Sequence, residues 1–230
     1  MAAQRKKLAF TLFDMPSLWY MVGLITTDGC LSKDKRHVEI TAKDKSYVAS
    51  LKERLGLKAG VGRKADGKGK YAHRIQIANV TFYNFLTAIG LIPAKSLKLK
   101  ALKVPYTFFR DFLRGVIDGD GSIRRWKHNI NQHEQWNLTI YSASSAFVEW
   151  LFSMTKKVLK INGRIHRCKK IKSTHRQLYI IKYGKVAAKV ILKECYYPFA
   201  LSLERKNRLA KECLSSYKGW ETSKTVFQKR

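Results

Sequence analysis

Apolar positions along this chain follow two periods, and each period predicts one kind of element. Residues 112–123 read FLRGVIDGDGSI. Phe112, Leu113, Val116 and Ile117 form the buried stripe of a helix over 108–120, and the run of Asp118, Gly119, Asp120 and Gly121 stops it. Residues 19–31, WYMVGLITTDGCL, repeat the arrangement after Pro16 and a candidate N-cap, Ser17. Aligned without gaps, Gly23 matches Gly115, Asp28 matches Asp120 and Gly29 matches Gly121, at a constant offset of 92 residues. That spacing is one small α/β unit long, so the chain reads as two related halves.

The stretches between the helices have period 2. In 33–43, Val38, Ile40 and Ala42 alternate with His37, Glu39, Thr41 and Lys43, the pattern of a half-buried sheet. Asp44 caps a helix with the stripe Tyr47, Leu51 and Leu55, which Gly56 ends. The ADGKGK tract is a basic hairpin turn, and the strand after it sets Arg74 and Gln76 opposite Ile75 and Ile77. A helix follows Asn79 and stops at Gly90. The second half repeats this plan. Asn137, Thr139 and Tyr141 alternate with Leu138 and Ile140, a helix capped by Ser144 or Ser145 follows, and two strands joined at Ser173-Thr174-His175 lead to a last helix. The expected organisation is a basic arm (1–14), a first half (15–97), a linker (98–108), a second half (109–212) and a tail (213–230).

Charge changes the picture. Among 230 residues, 46 Lys and Arg stand against 16 Asp and Glu, a net charge of +30 that a polyanion would balance. Nucleic acid is the default partner. The cations are spread over both halves instead of lining one amphipathic helix, and no apolar run is as long as a membrane span, so no membrane association is expected. The N-terminus carries no secretory cleavage pattern, and Cys30, Cys168, Cys195 and Cys213 show no C-x-x-C pairing. They read as free thiols in a reducing compartment.

The paired copies point to chemistry. A glycine inside an apolar helix costs about 1 kcal/mol against alanine. Two at matched positions suggest that the helices approach closely through Gly23 and Gly115. Asp28 and Asp120 would then meet at the two C-terminal ends, where helix dipoles add negative charge. One Asp-Gly helix end is an ordinary turn. Two that converge make sense around a hard divalent cation. His128 and His133 are spaced for a helix but lie in a predicted strand and turn, which argues against a zinc site.

Met21–Gly29 (MVGLITTDG) and Leu113–Gly121 (LRGVIDGDG) resemble the LAGLIDADG motif, and the chain resembles the two-motif, single-chain LAGLIDADG homing endonucleases over about residues 15–212. The resemblance implies an α+β fold of two pseudo-symmetric αββαββα halves, packed through the motif helices, with antiparallel sheets forming a DNA-binding saddle. It carries the metal site to Asp28 and Asp120 beside Gly29 and Gly121. It sets a basic residue near each scissile phosphate, here Lys95 and Lys206, which follow the last helix of each half. Mg²⁺ is the implied cofactor, with Ca²⁺ supporting binding without cleavage. Thr26 departs from the family's first acid, and Ala42 and Ser142 stand where a polar, water-positioning group is common, with Lys43 as a substitute.

On such a saddle the polar-face residues are the candidate base readers: Lys33, Lys35, His37, Glu39, Thr41, Arg74 and Gln76 in the first half, and Arg124, Asn137, Thr139 and Tyr141 in the second. The implied activity is a site-specific double-strand break in a long asymmetric DNA target, by a monomer, leaving 3′ overhangs. The implied location is wherever that DNA lies, in bacterial or phage cytoplasm or an organelle matrix. Two other roles fit the same fold: a maturase binding its own intron RNA, and a non-cutting DNA-binding regulator.

Overall fold

The computed structural model describes residues 15–65, 71–168 and 176–216. The expected arm (1–14), the tip of the ADGKGK hairpin (66–70), the Ser173-Thr174-His175 connection and most of the expected tail (217–230) lie outside them.

The first half runs α1 (Met15–Asp28), β1 (Gly29–Leu31), β2 (His37–Ala42), α2 (Lys45–Arg54), β3 (Val61–Ala65), β4 (Tyr71–Ala78) and α3 (Val80–Ala88). The second runs α4 (Phe109–Asp120), β5 (Gly121–Lys127), β6 (Glu134–Ser142), α5 (Ser145–Leu159), β7 (Arg164–Arg167), β8 (Tyr179–Gly184) and α6 (Lys185–Cys195). Each half builds one antiparallel four-stranded sheet, in the orders β1-β2-β4-β3 and β5-β6-β8-β7. A further helix, α7 (Glu204–Ser215), has no counterpart in the first half and carries the folded chain past the boundary expected at 212.

Local chemistry sets these boundaries. Asp44 Oδ1 accepts from the Ser46 and Tyr47 amides, Asn79 Oδ1 from Phe82, and Ser144 Oγ from Phe147, so α2, α3 and α5 start on side-chain caps. Gly56 and Gly90 leave α2 and α3 with φ of 57° and 110°, in the left-handed region that side chains resist. Ser17 lies within the first turn of a helix that already runs from Met15, so it is not the N-cap the sequence suggested.

The core lies between the inner sheet faces and the helices, with α1 and α4 at its centre. These two make the most extensive contact of any two elements. Neither is a striped surface helix. Leu18–Thr26 and Asp111–Asp118 are buried without a break, because each helix is enclosed on all sides. Their glycines allow the approach. A β-carbon on Gly23 would lie 2.1 Å from Phe112 O, and one on Gly115 would lie 2.1 Å from Tyr20 O.

The linker is part of this core. Leu99, Leu102 and Val104 are buried, Lys103 N donates to Ile89 O (2.8 Å), and Ser144 Oγ donates to Leu99 O (2.5 Å). Apolar residues at every second or third position hold it against both halves.

Candidate metal centre and nucleic-acid interface

Asp28 and Asp120 are the last residues of α1 and α4, and the glycine contact brings these ends together. A β-carbon on Gly119 would lie 3.3 Å from Asp28 Oδ2 and 1.9 Å from Thr27 Oγ1, so the Asp-Gly end of one helix lies against the acid of the other. Solvent reaches both carboxylates, yet surrounding protein strips much of their hydration. That burial, and then the Asp28 charge, push Asp120 up to about 6. Burial also raises Asp28, and Lys206, Lys95 and Arg205 pull it back. Both carboxylates are therefore harder to ionise than free ones, and the nearby cations offset only part of that effect.

The donor set suits a hard cation. Among the described residues no group of three or more His, Cys, Asp and Glu side chains is placed to hold an ion. A cation at the helix ends would thus take the two carboxylates and fill its shell with backbone, water or phosphate oxygens.

Two buried lysines flank the pair. Lys206, in the first turn of α7, donates to the carbonyls of Ile117 (2.5 Å), Asp118 (2.7 Å) and Gly119 (3.2 Å). Lys95, in a 3-10 turn (Lys95–Leu97), donates to Gly29 O. Lys206 bonds carbonyls in the last turn of α4 and Lys95 bonds the residue just past α1, so both put positive charge at the negative end of a dipole. Burial lowers both amines, Lys206 to about 8, while the acids around them oppose the shift. Gly29 O, expected beside the metal, is engaged by Lys95. Ser142 Oγ accepts from the Ser144 amide (3.2 Å) and keeps its hydroxyl hydrogen to donate, whereas Ala42 has no polar group.

A buried polar network centred on the acids of α4 ties the second half to Tyr20 and Tyr47 of the first. Asp118 accepts from Tyr20 Oη (2.7 Å), Tyr196 Oη (2.7 Å) and the Leu203 amide (2.6 Å), and Tyr20 Oη lies 2.5 Å from Tyr47 Oη. Arg114, 1% exposed, pairs with Asp111 at 2.8 Å and donates to Leu201 O and Cys195 O. The positions matching Asp111, Arg114 and Asp118 are Trp19, Val22 and Thr26. The signal for the network was present in the sequence: Asp111 and Arg114 are polar residues three apart in an apolar run. Asp118→Asn turns an acceptor of three hydrogen bonds into a group with two donors. It is expected to lower unfolding stability by about 2 kcal/mol, read as a lower urea midpoint at an unchanged slope.

The outer sheet faces carry most of the candidate readers. Register puts Cys30, Glu39 and Gln76 in one cross-strand row, and Thr41, Arg74 and Gly62 in the next. In the second half the rows are Ser122, Thr139, Lys182 and Arg164, then Arg124, Asn137 and Gly184. His37 and Tyr141 share these faces and are half-buried, while Gln76 and Arg124 are exposed. Two expectations change. Lys33 and Lys35 lie in the β1–β2 turn, with Lys35 at φ 59°, so they are not on the sheet face. Glu39, Asn137 and Thr139 lie on the central strands and are buried, so in this conformation they present little surface to a ligand. The Glu39 carboxylate is already engaged by Lys64 and Arg74. Lys64, Trp126, Arg164, His166 and Lys182 share the outer face and were not singled out in the sequence. Strict alternation along β8 would have found Lys182.

No helix among the described residues is long and apolar enough to cross a membrane, and the four cysteines are unpaired.

The sequence matches no protein-family model and no curated protein. Solved structures match its fold. The homing endonuclease I-WcaI, bound to its DNA recognition sequence, gives a TM-score of 0.61 at 13% identity, covering 94% of this chain and 92% of that one. The LAGLIDADG homing endonuclease I-SmaMI, bound to cleaved DNA, gives 0.54 at 15% identity, covering 87% and 88%. Full-length DUF199/WhiA from Thermatoga maritima gives 0.51 at 18% identity, with 93% of this chain matched to 66% of that one. The chain thus spans slightly under two thirds of that protein's length. The α+β architecture of two helix-packed halves with antiparallel four-stranded sheets is that of these LAGLIDADG proteins.

Proposed function

We propose that this chain is a divalent-cation-dependent DNA endonuclease of the LAGLIDADG homing type, acting as a monomer inside the cell on a long asymmetric duplex. One observation carries the reading. Two carboxylates converge at the ends of glycine-packed helices, each end is flanked by a buried lysine, and two basic sheets lie to either side.

Asp28 and Asp120 would hold Mg²⁺, with Gly29 and Gly121 beside them. When bound, the cation supplies Lewis-acid polarisation of the phosphodiester and activation of water. The chain's own residues do the rest. Arg124, Arg164, Lys182 and Gln76 bind and orient the duplex, so that one phosphodiester of each strand lies at the paired helix ends. Lys206 and Lys95 add positive charge where the transferring phosphoryl oxygens gain negative charge. Water adds to phosphorus and gives up one proton, the bond to the 3′ oxygen breaks, and that oxygen takes up a proton, leaving a 5′ phosphate and a 3′ hydroxyl. Breaks offset across the minor groove leave 3′ overhangs. The unequal halves match unequal half-sites.

A second reading, a non-cutting regulator or intron-RNA maturase on this fold, is favoured by Lys95 bonding Gly29 O, which withdraws that carbonyl from any cation beside Asp28. Selection from a randomised duplex library in Mg²⁺ and in Ca²⁺ separates them. The expected result is an asymmetric consensus cut in Mg²⁺ and bound uncut in Ca²⁺. Consensus bound but uncut in both ions would identify a regulator. No DNA consensus, with binding to structured intron RNA, would identify a maturase.

A further inference from the structure

The two outer sheet faces are charged differently. In the first half, Glu39 lies on the central strand β2, with its side chain 10% exposed, and its two oxygens take Lys64 from β3 and Arg74 Nη1 (3.1 Å) from β4. Arg74 lies across Gly62, where a β-carbon would stand 3.5 Å from its Nε. The Lys64 and Arg74 side chains remain 50% and 38% exposed, so both reach solvent while their charged ends are held. In the second half the matching register position is Thr139, which carries no charge. Lys182 lies beside it, Arg164 beyond, and Arg124 one row away. All three are exposed, and none pairs with an acid among the described residues.

We propose that Glu39 is a specificity-determining residue that withholds Lys64 and Arg74 from indiscriminate phosphate contacts, leaving the second half as the electrostatic anchor. This rests on the DNA-binding reading above. The physical reason is competition. A polyanion approaching the second half meets cations that no acid among the described residues holds, and binds them at the cost of counterions alone. One approaching the first half must displace a carboxylate that already holds both cations and itself repels phosphate. A guanine edge, with two acceptors in a fixed plane, can engage the part of the Arg74 guanidinium that Glu39 leaves open without breaking the clamp. Phosphates, which are the same at every site, gain nothing from that geometry. The acid thus lowers affinity for all duplexes and lowers it least for the right one.

The test uses the full chain in Ca²⁺, with fluorescence anisotropy on two duplexes: one of arbitrary sequence, and the consensus from the library selection. Glu39→Gln keeps the side-chain shape and removes the charge. Glu39→Thr installs the residue of the second half and serves if the amide perturbs folding. Both variants are expected to bind the arbitrary duplex about tenfold tighter at 50 mM salt. Freeing two cations for phosphates should steepen the log–log salt slope by about 2. The ratio of consensus to arbitrary affinity should fall about tenfold. Adding Arg74→Gln to Glu39→Gln should return part of the gain and about half of the slope change, which a purely structural role for Glu39 would not produce. If the parent chain binds DNA and both variants leave the slope and the ratio unchanged, this inference is overturned alone. A parent chain that binds neither duplex overturns the DNA-binding reading and this inference with it.

Discussion

Asp120→Asn is expected to abolish double-strand cleavage, by at least about 1,000-fold, because a Lewis acid at the scissile phosphate supplies several kcal/mol of transition-state stabilisation. Affinity for the same duplex in Ca²⁺ should stay within about threefold, since most of the binding free energy comes from cations on the sheets. Plasmid cleavage scored for nicked and linear product, beside anisotropy in Ca²⁺, separates the two effects. Cleavage at the parent rate would remove Asp120 from the reaction. The variant should also change the pH dependence of folding without a cation. Asp120 has a folded pKa of about 6 against an ordinary 3.8, so charging it disfavours the folded state. The parent chain should therefore lose stability as pH rises from about 4 to about 6, and Asp120→Asn should lose clearly less, the remainder coming from Asp28 and Asp118, which burial also raises. Two pKa units would be about 3 kcal/mol in a dry site. Solvent reach at the helix ends reduces this to about 1 kcal/mol. A cation reverses the sign: its affinity should fall about tenfold per pH unit below 6, as protons compete for the carboxylate.

Gly115→Ala should cost about 4 kcal/mol of folding stability, although alanine is the better helix former. The new methyl would lie 2.1 Å from Tyr20 O and 2.7 Å from Leu24 N, both backbone atoms of a helix that cannot swing aside. Relief requires α1 and α4 to separate, which opens the tightest contact in the core and draws the two acids apart. Gly60→Ala is the control, because a β-carbon there meets nothing within 4 Å. Urea denaturation should show a large fall in midpoint for Gly115→Ala and almost none for Gly60→Ala. Equal midpoints would mean that the helices do not meet through these glycines.

The sequence made the architecture legible because it states it twice. Matched Gly-Asp-Gly positions, period-2 strands and caps such as Asp44 and Ser144 each specify a local structure, and the repeat specifies how two copies pair. The sequence did not reveal which polar groups turn inward. The family resemblance sets Lys206 near a scissile phosphate, but no local pattern shows that three helix-end carbonyls hold it in the core. Glu39 reads as an outward strand residue, and its register row does face outward. Its engagement depends on Lys64, two strands away, which no local period reveals. Lys33 and Lys35 continue the alternation of β2 in sequence, but the chain turns before it. Local patterns report faces; long-range partners decide what a face can offer.

The packed linker bears on how such halves can be recombined. Leu99, Leu102 and Val104 fill the core, Lys103 bonds back to Ile89, and Ser144 of the second half holds Leu99 O. The connection therefore belongs to neither half. A chimera that joins this first half to a foreign second half, cut at a point chosen for sequence convenience, would leave either a trough without its occupant or an occupant without its trough. The exchangeable unit is a half together with the groove that receives residues 99–104, and that groove limits which partners the first half can accept.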